Sequence, residues 1–206
     1  MLLVFSLIVL LFSTMLHEIA HGSVALSLGD TTAREEGRLT LNPIKHLDFF
    51  GSIMLPLMMY VFTLGQGPIF GWAKPVPINP FNLTDKKWGM LKVAIAGPAV
   101  NFLIGITFSF LTKFTFLPPV MKFLFAIVAL YNFAWGIFNL IPVPPFDGSH
   151  ILFTLLPKTQ KWIQFRLFLL KYGFFIILAF IFLGIHYIFY FAAFFHTLIS
   201  GQPILI

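Results

Sequence analysis

The chain has 206 residues, 59% of them hydrophobic and only 10% charged, with a net charge of +6 and a mean hydropathy of +0.94. Soluble globular domains carry about a quarter charged residues, so this composition excludes one and specifies an integral membrane protein. The absence of cysteine excludes disulfides and thiolate metal sites, and no basic stripe is interleaved with a soluble fold, so nucleic acid is not an expected partner.

The first expected span is 2–28, roughly 40 Å of helix, closed near Gly29–Asp30. No Lys or Arg precedes it and no small-residue cleavage site follows, so a cleavable leader is not expected. Residues 31–48 are polar and broken by Gly37 and Pro43, and Arg34–Leu41 reads as a short β-hairpin turning near Glu36–Gly37. Residues 49–64 are apolar but short, with Pro56 in the middle, and 65–88 is rich in Gly and Pro and reads as irregular. Further spans are expected at 89–112 and 120–141. The apolar tail, 166–199, is too long for one ordinary crossing and reads as one long tilted helix or as two parted near Gly184. The expected fold is thus an all-α polytopic membrane protein. It has about five transmembrane helices (four to six), a re-entrant segment and a small β-hairpin, all in one domain over 1–206.

Charge placement orients this arrangement. If 49–64 dips in and returns, Arg34, Arg38, Lys45, Lys74, Lys86, Lys87 and Lys92 gather on one face with Lys158, Lys161, Arg166 and Lys171. Lys113 and Lys122 remain on the other, eleven against two. The rich face is expected to be cytoplasmic, which leaves the N-terminus outside in a multi-pass cell-membrane protein. Trp72, Trp88 and Trp162 flank spans as interfacial anchors.

His17, Glu18 and His21 lie near the end of the first span, and ionisable residues at membrane depth point to function. Their spacing, H-E-x-x-H, puts two imidazoles on one helical face, where they can share a divalent ion. Glu18 lies about a quarter turn away, placed to take a proton at the metal without ligating it. A catalytic zinc site uses three protein ligands and one open position. Asp147 is the candidate for the third, as the only acid between Asp85 and the C-terminus. It follows a span broken by three prolines in Asn139–Pro145, and irregular backbone at membrane depth is tolerated only where it lines a cavity. Gly148 permits a sharp turn into the next helix. Asp147 could instead cap helix 148–156, or serve as both cap and ligand.

HEIAHG at 17–22, GPAVNF at 97–102 and NLIPVPPFDGSH at 139–150 resemble the site-2 protease family of intramembrane zinc metalloproteases. GRLTLNP at 37–43 and GWAKPVP at 71–77 look like compact members without PDZ or cystathionine-synthase-type domains. The resemblance covers about 10–157. It implies one Zn2+ held by His17, His21 and Asp147, Glu18 as general base, and Asn139 binding the substrate backbone or the oxyanion. It implies a substrate that is a transmembrane helix of another protein. A regulatory membrane partner and self-association are left open.

Other polar residues have plainer readings. His150 is one turn beyond Asp147, but the site already has three ligands. His46 reads as a hydrogen-bonding loop residue, and His186 and His196 as interior or interfacial. Asn101 reads as a helix-to-helix hydrogen bond, with an active-site role the lesser alternative. A divalent-metal transporter is the competing function. It would show repeats and polar residues along a path, and the chain shows no repeat, while the exterior half of its spans is nearly free of ionisable groups.

Overall fold

A run of apolar residues in lipid can satisfy its backbone only as a helix, and the four longest runs do so. A computed structural model describes residues 2–62, 64, 74–157 and 159–203. Four described helices are long and apolar enough to cross a membrane: α1 (Leu2–Ser27), α4 (Gly89–Leu111), α5 (Pro119–Asn139) and α7 (Gln160–Ser200). The shorter helices are α2 (Thr32–Glu35), α3 (Leu55–Phe62) and α6 (Asp147–Leu155). Phe49–Met54 forms a π-helical turn leading into α3, and Pro43–His46 a 3-10 turn.

Four spans among the described residues fall at the lower end of the expected four to six, and the tail decides the number. α7 is a single helix of 41 residues, about 62 Å long. Gly184 does not break it, because the Phe180 ring covers the space a side chain would fill. Gly201, with φ +74, closes the helix.

The expected β-hairpin is not there: no strand occurs among the described residues. Residues 32–35 wind into α2. Gly37, with φ +62, ends that helix: its N–H bonds the Arg34 carbonyl, and the Arg38 N–H reaches the Ala33 carbonyl. That is a helix C-cap, so the glycine that suggested a strand turn serves as a helix stop.

The described residues do not show a re-entrant hairpin either. Phe49–Phe62 runs as one helical stretch with no reversal at Pro56. Of the irregular 65–88 stretch, residues 65–73, with Trp72, lie outside the described residues.

Close approach of α1, α4 and α5 builds the centre of the molecule. A side chain at Gly105 would meet the Phe133 ring, and one at Gly136 the Phe102 ring and Asn101, so these glycines set the α4–α5 distance. Ala129, Leu130, Phe133 and Ala134 of α5 pack with Ile188 and Ala192 of α7. At the other end, the Leu28 carbonyl accepts from Thr84 N (2.8 Å) and Thr84 Oγ1 (2.9 Å). Buried Asp30 accepts from Asn79 N (2.7 Å), Asn82 Nδ2 (3.1 Å) and Thr32 Oγ1 (2.5 Å). The C-terminal end of α1 and the N-terminal end of α4 are therefore tied together, which makes the two helices antiparallel neighbours.

Candidate metal centre

Four residues apart on α1, His17 and His21 face α4 and are 3% and 5% exposed. Their Nε2 atoms are 3.0 Å apart. Asp147 Oδ2 lies 3.0 Å from His17 Nε2 and 3.2 Å from His21 Nε2. The three donor atoms all fall within 4.8 Å of one another.

The outer nitrogens decide the protonation of this cluster. His21 Nδ1 meets the Val93 carbonyl at 2.7 Å, and His17 Nδ1 meets Asn101 Oδ1 at 2.6 Å. A carbonyl can only accept, so His21 Nδ1 carries a hydrogen. The orientation of Asn101 is fixed because its Nδ2 donates to the Ser13 carbonyl (3.3 Å) and to Asn132 Oδ1 (3.1 Å). Asn132 is oriented in turn by donating to the Val128 carbonyl at 2.8 Å. His17 Nδ1 therefore also carries its hydrogen, and both Nε2 atoms present lone pairs to the centre.

Asp147 Oδ2 completes the set. It is buried and accepts no hydrogen bond. Its nearest polar neighbours are the two Nε2 atoms, which have no hydrogen to give it. Three electron-pair donors converge with no hydrogen between them, and a cation at their centre would remove the repulsion. Zinc bonds of about 2.0–2.1 Å place tetrahedral ligands roughly 3.3 Å apart. The observed separations are close to that, and two imidazoles with one carboxylate suit zinc better than calcium or magnesium.

Local sequence explains how the donors meet. Gly97 is the contact point of α4: a Cβ there would lie 2.6 Å from His17 Cε1 and Nε2 and still closer to His21 Nε2. Pro98 has no N–H, so the Ala94 carbonyl loses its usual helix partner. Asp147 is the first residue of α6. Phe146 occupies the cap position and no side chain caps the helix, so capping does not occupy the Asp147 carboxylate. Gly148 matters for close approach: a Cβ there would strike the Leu140 and Ile141 carbonyl oxygens. The Phe138 and Phe146 rings, 4.4 Å apart, close the turn between α5 and α6.

Glu18 is partly buried, and its Oε2 accepts from Val76 N at 2.8 Å. Asn139 is buried at the end of α5 and gives one amide hydrogen to the Trp135 carbonyl at 3.0 Å. His150 is exposed and outside the three-donor cluster. His46 Nε2 donates to the Thr40 carbonyl (2.8 Å), and His196 Nδ1 pairs with Ser109 Oγ (2.9 Å). The residue underweighted from sequence is Asn101, which orients a candidate ligand. Its signal was a polar residue one turn from Gly97 inside an apolar span.

The Putative zinc metalloprotease YwhC of Bacillus subtilis (strain 168) is 37% identical over 166 residues, which cover 76% of this chain and 71% of YwhC. The chain belongs to peptidase family M50, the site-2 proteases. The model of peptidase family M50 matches residues 117–181 of this M50 protein. Rip2 of Mycolicibacterium smegmatis, named in the same way, is 31% identical over 155 residues, 73% of this chain and 57% of Rip2. The Zinc metalloprotease MJ0392 of Methanocaldococcus jannaschii is 36% identical over 91 residues, 43% of this chain and 27% of MJ0392. The chain thus spans most of YwhC and little more than half of Rip2. No solved structure gave a significant match. The M50 protein is an intramembrane zinc metalloprotease, and nothing in these comparisons favours a transporter.

Proposed function

We propose that this M50 protein cuts the transmembrane helices of other membrane proteins, with His17, His21 and Asp147 as the zinc ligands and Glu18 as the general base. The observation that carries this reading is the convergence of two imidazole lone pairs and an unpartnered buried carboxylate oxygen beneath Gly97. Zinc, when bound, supplies Lewis acidity that polarises a peptide carbonyl and brings the pKa of water near neutrality. The chain's own residues do the rest. Asn101 and the Val93 carbonyl hold the imidazoles in one tautomer. Glu18, anchored through Oε2 by the Val76 N–H, keeps Oε1 to take the proton from water and pass it to the leaving amine. Asn139 has a second amide hydrogen to offer a substrate carbonyl. A substrate helix hides its carbonyls in its own hydrogen bonds, so it must unwind locally to react.

The proposed orientation puts the N-terminus outside and the metal centre toward the cytoplasm. Its support is the excess of Lys and Arg on one face and the Leu28–Thr84 bonds, which bring the chain back to the end of the bundle it left. Residues 49–64 would then not cross. Because the chain lacks cysteine, one cysteine introduced at position 67 reports the side directly; labelling from outside intact cells contradicts this topology.

The central test is metal content and cleavage on purified full chain. Wild type should hold about one zinc and cut a synthetic transmembrane peptide, and chelation should abolish cutting. Glu18→Gln should keep zinc and lose cleavage. A chain that binds no zinc, or a zinc-loaded Glu18→Gln cutting at the wild-type rate, rejects the reading.

A further inference from the structure

Buried Arg38 has no role in the account so far. It is 4% exposed, makes no ion pair among the described residues, and its Nε has no partner. A buried guanidinium without a carboxylate is costly, so what its remaining donors hold is informative. Arg38 Nη2 donates to the Lys74 carbonyl at 2.6 Å and to the Pro75 carbonyl at 3.2 Å. The next residue is Val76, whose N–H donates to Glu18 Oε2.

The segment at 74–76 lies outside any helix, and Pro75 and Pro77 have no N–H. Val76 therefore supplies the sole backbone donor over 75–77. Two further contacts fix it in place. The Lys74 N–H bonds the His46 carbonyl at 2.9 Å. The Val76 side chain fills the notch over Gly22, where a Cβ would lie 2.8 Å from Val76 Cγ1 and 2.6 Å from Leu39 Cδ2. Gly22 is one turn beyond Glu18 on α1. α2 and its glycine stop aim Arg38 at this segment, since the Arg38 N–H closes the cap on the Ala33 carbonyl.

We propose that Arg38 is a positioning residue for Glu18: it clamps the carbonyls of Lys74 and Pro75 so that the Val76 N–H holds one carboxylate oxygen and leaves the other aimed for proton transfer. This inference rests on Glu18 being the general base. Arg38 does not touch the metal ligands or the reacting atoms. Its loss should leave zinc and substrate binding in place and slow the chemical step, because general-base efficiency depends on placement within a fraction of an ångström.

The test uses full-length, zinc-loaded protein in detergent and a dye-labelled synthetic transmembrane peptide that the wild type cuts. Arg38→Gln should lower kcat at least about tenfold with KM within twofold and zinc content unchanged, and Arg38→Lys should recover part of the loss. Val76→Pro removes the donor itself, and should lower kcat similarly even if Arg38→Gln fails to fold. A second readout is independent of turnover. Val76→Cys is the sole thiol in the chain, and its reaction with a water-soluble maleimide should accelerate about tenfold when Arg38→Gln is added. Wild-type kcat in both Arg38→Gln and Val76→Pro, with Glu18→Gln inactive, overturns the clamp alone. Loss of zinc in Arg38→Gln, or unchanged maleimide reactivity there, also overturns it. Full cleavage by zinc-loaded Glu18→Gln removes the base and the clamp with it.

Discussion

Replacing Gly97 by alanine tests how rigidly the metal centre is held between two helices. The added methyl would sit 2.6 Å from two atoms of His17 and closer still to His21 Nε2. Carbon contacts settle at about 3.5 Å or more, so the rings or α4 must yield by roughly 0.9 Å. Metal–ligand distances tolerate only about 0.2 Å, so the ligands leave bonding range unless the whole helix shifts. Packing around Asn101, Gly105 and Gly136 opposes that shift. We expect Gly97→Ala to weaken zinc binding at least ~100-fold, about 2.7 kcal/mol, measured by competition with a chromophoric chelator. Gly105→Ala is the control. Its methyl meets the Phe133 ring at 2.7 Å, away from any ligand, so it should cost about 1–3 kcal/mol of stability and keep zinc affinity. Wild-type zinc affinity in Gly97→Ala, or equal zinc loss in both variants, refutes the reasoning.

Asn101→Leu should reduce zinc affinity about 10–100-fold with the helices intact by circular dichroism, since His17 Nδ1 loses the acceptor that sets its tautomer. Gly148→Ala should lower zinc occupancy by pushing α6 off the Leu140 and Ile141 carbonyls, whereas Ser149→Ala should leave occupancy unchanged; metal analysis after dialysis separates them. Burial opposes ionisation of Asp30, but hydrogen bonds from Thr32, Asn79 and Asn82 outweigh it and hold its carboxyl below the usual value. A lowered folded-state value means that its contribution is complete above the unfolded value, near pH 4, and fades as pH falls through the lowered one. Thermal midpoints should therefore decline below about pH 4 in wild type, and that decline should be shallower in Asp30→Asn. Equal slopes would remove Asp30 from the acid response.

The spans were legible because lipid leaves the backbone one local solution: α1, α4 and α5 begin and end within a residue or two of the apolar runs. The donor set was legible for a related reason, as His17, His21 and Asp147 are costly in an apolar stretch without a shared partner. The turn after α1 was misread because Gly37 signals only a positive φ, and both strand turns and helix stops use one. Burial of Ala33 beneath α1 decides between them, and that is a tertiary fact. The network from His17 through Asn101 to Asn132 was equally out of reach. Helical spacing places Asn101 one turn from Gly97, but only the α4–α5 contact shows which neighbour its oxygen meets. Arg38 looked like one more cytoplasmic charge, and its burial depends on a segment 36 residues further along.

The donor atoms come from positions 17 and 147, with three membrane helices' worth of chain between them or bearing them. During synthesis, His17 and His21 enter the bilayer long before Asp147 has been translated. A nascent or truncated chain therefore carries two of the three donors and not the complete cluster. The three donor atoms come together only once α6 packs against α4.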